Sequence, residues 1–74
     1  MWDEGMITLD GVVYHYFVKH FKAGSRFGID DGKISKLEIR RGNTTCVHYD
    51  REWITRPVTE IETTIYEMLI KLYN

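Results

Sequence analysis

The sequence has one cysteine, one proline and no long apolar run among its 74 residues. A single cysteine cannot form an intramolecular disulfide, so the chain suits a reducing compartment. No stretch approaches the roughly 18 consecutive apolar residues of a membrane-spanning helix. No basic region followed by an apolar one indicates a secretory signal. We therefore expect a cytoplasmic protein that has no membrane partner.

The chain also lacks a strong net charge, which is −1 with 28% charged residues. A protein that neutralises many phosphates usually contains a basic domain, so this balance weakens a nucleic-acid interpretation. The charges are distributed unevenly. Seven Lys or Arg and three acids lie between Lys19 and Arg41, whereas three Lys or Arg and five acids follow from Asp50 onward. A locally basic sheet and a more acidic helical region are expected.

No pattern of residues indicates catalysis or a metal. His15 and His20 are five positions apart on a predicted strand and therefore lie on opposite faces. Cys46 and His48 share a predicted face, but a structural zinc site needs four ligands and no second pair exists. A nucleophilic Cys46 would also need an orienting group and an oxyanion hole. We expect no enzyme, no catalytic or metal-binding residue and no cofactor.

The length of the chain predicts a single domain, residues 1–74. Four compact turn signals divide its first 50 residues. They are Asp10-Gly11, Lys22–Ser25, Asp30–Gly32 and Arg41–Asn43. The signals predict strands over residues 6–9, 12–21, 26–30, 33–41 and 44–50, and an amphipathic helix over residues 57–73. The predicted fold class is α+β, an antiparallel five-stranded β-meander with one C-terminal α-helix packed on one face.

Loop lengths set the register of each hairpin, and a slip of one residue moves every side chain to the other face. A two-residue Asp10-Gly11 turn pairs Leu9 with Val12. A four-residue loop at Lys22–Ser25 then pairs Val18 with Ile29.

The two later turns each allow two registers. A three-residue loop at Asp30–Gly32 matches the apolar pattern better than a two-residue turn. A three-residue Arg41–Asn43 loop pairs Leu37 with Val47, and the apolar pattern favours it. A two-residue Gly42-Asn43 turn would instead place Leu37 opposite His48.

These registers predict one apolar face, which the helix covers through a stripe of period 3.6. Pro57 suits a first helical turn, whereas Thr59 and Glu62 have the spacing of a capping box, so two helix starts compete. The predicted core comprises Ile7, Leu9, Val12, Tyr14, Tyr16, Val18, Phe27, Ile29, Leu37, Ile39, Val47 and Tyr49 from the sheet, with Val58, Ile61, Ile65, Met68, Leu69 and Leu72 from the helix.

The opposite sheet face should be largely polar, yet it carries Val13, Phe17 and Phe21 beside basic residues. An aromatic patch with a basic rim is typical of a binding surface. Alternatively, Trp2 and Trp53 fold back over this face and bury it. The candidate partner-binding residues are His15, Phe17, Lys19, Phe21, Arg26, Lys36, Arg40, His48 and Trp53.

The last predicted strand offers a second surface. The edge Thr44–Tyr49 has no Pro or Lys to protect it, so it could pair with a second copy and form a homodimer. Alternatively, the segment of residues 50–56 covers this edge.

Three segments resemble small uncharacterised proteins of Firmicutes genomes and their phages. They are the opening Trp2-x-x-Gly5, the run Ser25-Arg-Phe-Gly-Ile-Asp-Asp-Gly-Lys-Ile-Ser-Lys-Leu37 and the later Tyr49-Asp-Arg-Glu-Trp53. The resemblance spans most of the chain and supplies no catalytic residues. It implies a phage or mobile-element protein that binds and blocks a host protein, as anti-CRISPR proteins do.

The expected function is therefore a non-enzymatic protein-binding module, an inhibitor that blocks a bacterial host defence protein through its exposed sheet face or edge. One alternative is a single-stranded nucleic-acid binding domain, because aromatic side chains with basic neighbours on an open sheet face can stack bases. The other alternative is a small homodimeric structural or regulatory protein.

Overall fold

A computed structural model describes residues 1–74 and shows one open sheet of five antiparallel strands in chain order. A single C-terminal helix packs on one face, so the predicted α+β meander is confirmed. No helix has the length and apolar composition needed to span a membrane. The elements are β1 (Trp2–Leu9), β2 (Val12–His20), a short 3₁₀ turn (Ile29–Asp31), β3 (Ile34–Arg41), β4 (Thr44–Asp50), β5 (Trp53–Thr55) and α1 (Glu60–Tyr73).

The first hairpin has the predicted register, with Leu9 opposite Val12. Asp10 and Gly11 both have positive φ values, 51° and 77°, as a two-residue type I′ turn requires. The pairing continues well beyond the predicted start of β1, until Trp2 lies opposite Lys19. The long first strand therefore forms one complete edge of the sheet.

The predicted strand over residues 26–30 is wrong. This stretch lies in a loop between β2 and β3 that folds on itself. The Phe27 amide donates to Ser25 Oγ at 3.2 Å, and the Gly28 amide donates to the Ser25 carbonyl at 3.0 Å. Asp30 and Asp31 both adopt positive φ, which ends any extended run. Only Ile29 is buried in the core, so the loop is anchored at one apolar side chain.

The strand that does pair with β2 is β3, with Val18 opposite Leu37 rather than Ile29. Leu37 lies an even number of residues beyond Ile29, so both pairings place the same apolar side chains on one face. Because alternation has a period of two, it cannot distinguish them. The apolar pattern therefore predicted the core side of Val18, Leu37 and Ile39 correctly, although the pairing was incorrect.

The last hairpin uses the two-residue Gly42-Asn43 turn, with Arg41 opposite Thr44, so the three-residue loop is wrong. A bulge after Ile39 then shifts the register, and Leu37 lies opposite Tyr49 rather than Val47 or His48. A bulge places two residues of one strand opposite one residue of the other.

Two bulges add residues to the core that the alternation assigned to the opposite face. One lies beside Ser35 between β2 and β3, and the other lies beside Cys46 between β3 and β4. Ile34 and Cys46 are buried in the core cluster as a result. Cys46 and His48 therefore do not share a face, because Cys46 lies in the core.

The short strand β5 was not predicted, since residues 50–56 read as a connection. It pairs with β4 only at His48 and Tyr49. Trp53 stacks edge-on against Tyr49 and against Tyr66 of α1, with ring centroids 5.2 Å and 5.4 Å apart. Trp53 thus joins the sheet to the helix on the core side.

The start of α1 is set by the predicted capping box. The Glu62 amide donates to Thr59 Oγ1 at 3.1 Å, and the amides of Val58 and Thr59 donate to Glu62 Oε1. These bonds satisfy backbone donors that a helix leaves unpaired at its start. The helix begins at Glu60, so the predicted start at Pro57 is wrong by three residues.

The buried side of α1 is rotated relative to the predicted stripe. Ile65 and Leu69 are buried as expected, whereas Val58, Met68 and Leu72 are exposed. Two tyrosines and an isoleucine that were not assigned to the core pack there instead. The helix residues partly buried against the core are Ile61, Tyr66, Ile70 and Tyr73.

The C-terminal end of α1 is held by the Asn74 side chain. Its Oδ1 accepts from the Ile34 amide at 3.0 Å, and its Nδ2 donates to the Ile29 carbonyl at 3.1 Å. Gly32 lies directly beside this amide, where an added Cβ would overlap it. One side chain therefore connects the helix, the β2–β3 loop and the start of β3.

Replacing Asn74 by Ala should lower the free energy of unfolding by about 1–3 kcal/mol, because a buried donor and a buried acceptor lose their partner. Glu67→Ala, an exposed change on the same helix, is the matched control and should cost less than about 0.5 kcal/mol. Urea unfolding measures both. Equal stability of the two variants would contradict the role given to Asn74.

Three core-side tyrosines make the fold sensitive to alkali. Burial, followed by nearby acids, raises the pKa of Tyr49 and Tyr66, and the adjacent Tyr16 hydroxyl together with burial raises that of Tyr73. Above the ordinary tyrosine pKa of about 10, the unfolded chain loses protons that the folded chain keeps. The contribution of these tyrosines to the free energy of unfolding is fully present below about pH 10 and should be lost as the pH rises further.

Tyr73→Phe removes one of these protons and should make the fall in unfolding free energy between about pH 9 and about pH 11 shallower. Lysine titration contributes equally to both proteins, so the difference between the two slopes isolates Tyr73. Urea unfolding at several pH values measures it. Identical slopes would contradict the shifted pKa of Tyr73.

Candidate binding face

The sheet has one face covered by α1 and one face that no element covers. We name the uncovered side the open face. Its members follow from strand alternation and the observed pairing, in which directly opposite residues lie on the same side. They are Trp2, Glu4, Met6 and Thr8 of β1; Val13, His15, Phe17 and Lys19 of β2; Lys36, Glu38 and Arg40 of β3; Thr45, His48 and Asp50 of β4; and Thr55 of β5.

Aromatic side chains on the open face are exposed. Phe17 is 37% exposed, Phe21 just beyond β2 is 48% exposed, and Trp2 is 60% exposed. Trp2 and Phe17 line one shallow depression together with His48. Trp2 therefore extends the aromatic surface rather than burying it. Trp53 lies on the other side of the sheet, so the alternative in which both tryptophans cover this face is wrong.

Lys19 lies between two of these rings. Its ammonium is 5.7 Å from the Trp2 ring centroid and 5.6 Å from that of Phe21. An exposed cation over an aromatic ring contributes about 0.5–1 kcal/mol. The three residues thus form a continuous aromatic and basic strip along the end of β2.

Acidic residues interrupt the basic character of the face. Glu4 of β1 and Glu38 of β3 are the two cross-strand neighbours of Phe17, one on each side. Arg40 lies 3.4 Å from Glu38, and Lys36 lies 3.9 Å from Asp50. The centre of the open face is therefore apolar with mixed charges around it.

A hollow of about 230 Å³ lies at one end of this face, where β2 and β3 meet the β2–β3 loop and the β4–β5 turn. Lys19, Lys36 and Arg51 line it together with the rings of Phe21 and Phe27. Phe27 was predicted in the core but is 51% exposed, because the loop that carries it is not a strand. Alternation along the chain contained no signal for this hollow.

The structure brings together most of the predicted partner-binding residues. Six of them lie on the strands of the open face: His15, Phe17, Lys19, Lys36, Arg40 and His48. Phe21 follows the end of β2 and lines the hollow. The Arg26 guanidinium lies 4.9 Å from the centroid of the Phe27 ring, which also lines the hollow. Trp53 is the exception, since it packs between Tyr49 and Tyr66 on the core side.

The predicted dimerisation edge is partly covered. Strand β5 pairs with His48 and Tyr49, whereas the outer edge of β4 over residues 44–47 has no partner strand. The connection thus shortens the free edge from the six predicted residues to four. Strand β1 forms the opposite edge of the sheet.

No three His, Cys, Asp or Glu side chains converge as metal ligands would. Cys46 is 6% exposed and lies within the core. Its thiol contacts only the Thr44 carbonyl by hydrogen bond, at 3.9 Å. The geometry of the open face supports binding by aromatic, cationic and mixed-charge contacts.

If the open face is solvent-exposed, its aromatic residues contribute little to stability. Phe21→Ala should change the free energy of unfolding by less than about 1 kcal/mol. Leu37→Ala, on the core side of β3 and only 1% exposed, should cost about 2–5 kcal/mol. Urea unfolding of both variants measures the contrast. A cost for Phe21→Ala similar to that for Leu37→Ala would show that this face is part of the core.

Comparison with known families gives one match. A domain described only as a domain of unknown function, DUF7678, matches residues 1–74. Comparisons with curated proteins and with solved structures find no significant match. The match covers the whole chain, including every residue of the open face and the hollow. The chain therefore belongs to the DUF7678 family.

Proposed function

We propose that the protein is a non-enzymatic binding module that holds a protein partner against its open face. The supporting observation is the exposed set Trp2, Phe17 and Phe21 on a sheet face that no element covers. Contiguous exposed aromatics are costly to leave in water, and aromatic residues are enriched at the energetic centres of protein interfaces. A partner that covers the three rings gains the burial that the single helix cannot provide.

The charges around Phe17 favour a protein over a nucleic acid. A base stacked on Phe17 would bring its phosphates near Glu4 and Glu38, the two cross-strand neighbours of that ring. The phosphates and the two carboxylates carry like charges and would repel each other, and the chain as a whole carries a net charge of −1. A protein surface can instead place apolar groups over Phe17 and complementary charges around it.

An inhibitory role is the more specific form of this proposal. The resemblance to phage proteins implies that binding blocks a bacterial host protein, including a defence protein. The DUF7678 match carries no function. The inhibitory form therefore rests on the resemblance alone, whereas partner binding rests on the geometry of the open face.

Substitution of the exposed rings tests the proposal. Affinity capture from an extract of the source organism identifies the partner, and calorimetry measures its affinity for variants. Trp2→Ser and Phe17→Ser should each weaken binding by about thirtyfold, the loss typical of a central interface aromatic. Leu72→Ser is the matched control, because it removes an exposed apolar side chain from the helix surface. Its affinity should be unchanged.

Two results would contradict a protein partner on this face. One is an equal loss of affinity in Leu72→Ser and Phe17→Ser, which would show that the interface is not specific to the open face. The other is tight binding of an oligothymidylate whose affinity falls steeply with salt, since release of several counterions gives that slope. Thermal melts of all variants should stay near that of the parent protein.

A further inference from the structure

The hollow at the end of the open face contains an arrangement of cations that the fold does not need. Lys19 and Lys36 are direct cross-strand partners on β2 and β3 and lie on the same face. Like charges directly opposite each other destabilise an antiparallel pair. Asp50, 3.9 Å from Lys36, is the one carboxylate paired with either lysine, and both members of that pair are well exposed.

Arg51 adds a third cation from the β4–β5 turn, and no carboxylate lies within ion-pair distance of it. Its φ value of 62° is in the left-handed region, where Gly, Asn or Asp is usual and arginine is strained. The turn holds this conformation, because the Arg51 amide donates to the Ser35 carbonyl at 3.0 Å. A strained residue kept at a surface depression suggests a functional requirement for its side chain.

Two phenylalanine rings supply the apolar part of the hollow's lining. Phe21 and Phe27 line it from the β2–β3 loop, and both rings are about half exposed. The loop is fastened to the core, since Tyr49 donates to the Phe27 carbonyl at 2.9 Å. The Phe21 amide also donates to the Lys33 carbonyl at 3.0 Å, so both rings extend from an anchored backbone beside the three cations.

We propose that this hollow binds an acidic side chain of a protein partner, with the carboxylate between Lys19, Lys36 and Arg51 and adjacent apolar groups against Phe21 and Phe27. The proposal rests on the proposed function and specifies the chemistry of the partner. A carboxylate relieves the repulsion between the two lysines and supplies the missing counterion of Arg51. A nucleic acid that extended from the hollow along the strands to Phe17 would meet Glu4 and Glu38, which disfavour it.

Arg51→Gly is the decisive variant. Glycine tolerates positive φ, so stability should stay equal or increase while the cation is lost. Arg41→Gln, which neutralises an exposed arginine at the far end of β3, is the matched control. A short oligoglutamate peptide is the probe, titrated into the protein and followed by amide chemical shifts in NMR spectra.

The peptide should shift the amides of Lys19, Ser35, Lys36 and Arg51, and Arg51→Gly should weaken this binding about tenfold, the loss of one charge-assisted contact. Arg41→Gln should bind like the parent protein. Equal weakening by both arginine variants, or no shifts at the hollow, would overturn the proposal. Tighter binding of a short oligothymidylate than of the peptide would also overturn it, because the preferred anion would then be a phosphate.

The outcomes separate the hollow from the wider proposal. One outcome is that oligoglutamate fails to bind while capture still yields a partner whose affinity falls in the Phe17→Ser variant. In that case the open face binds protein without an acidic side chain in the hollow. If oligoglutamate binds at the hollow but no substitution on the open face affects capture, the hollow binds acidic groups and the wider interface is wrong.

Discussion

One helix can cover only one face of this sheet, and that limit shapes the whole molecule. The 14 residues of α1 extend about 21 Å, enough to cross the core side of the strands once. Ile65 and Leu69 supply the fully buried contacts, and Asn74 fixes the far end to β3 and the preceding loop. No other element of the structure covers the second face. The aromatic side chains on that face are therefore exposed.

Backbone irregularities position the candidate site. The bulge beside Ser35 and the folded loop over residues 21–33 bring Phe21 and Phe27 to the end of the sheet. The left-handed Arg51 completes the same hollow from the β4–β5 turn. These features lie where regular pairing ends, which is where proteins commonly alter the direction of side chains for binding. The regular strands form the flat part of the open face, and the irregular segments add the side chains of Phe21, Phe27 and Arg51 at its end.

The open face combines an apolar centre with cations concentrated at one end. Phe17 has an acidic residue on each side, whereas the hollow has three cations and two phenylalanine rings. A polyanion would meet repulsion over the centre, so this distribution suits a protein with an acidic segment at one end of its interface. Membership of the DUF7678 family assigns no function, and the proposed binding follows from the surface itself.

Turn signals and apolar periodicity in the sequence were enough to predict the fold class. The sequence also predicted the Asp10-Gly11 hairpin and the Thr59–Glu62 capping box, because both depend on local conformational preferences. It also placed Phe17 and Lys19 on the uncovered face by alternation. The segment that pairs with β2 could not be predicted, because registers that differ by an even number of residues leave the same faces apolar. The bulges, the rotation of α1 and the hollow could not be predicted either, since each depends on contacts between residues far apart in the chain.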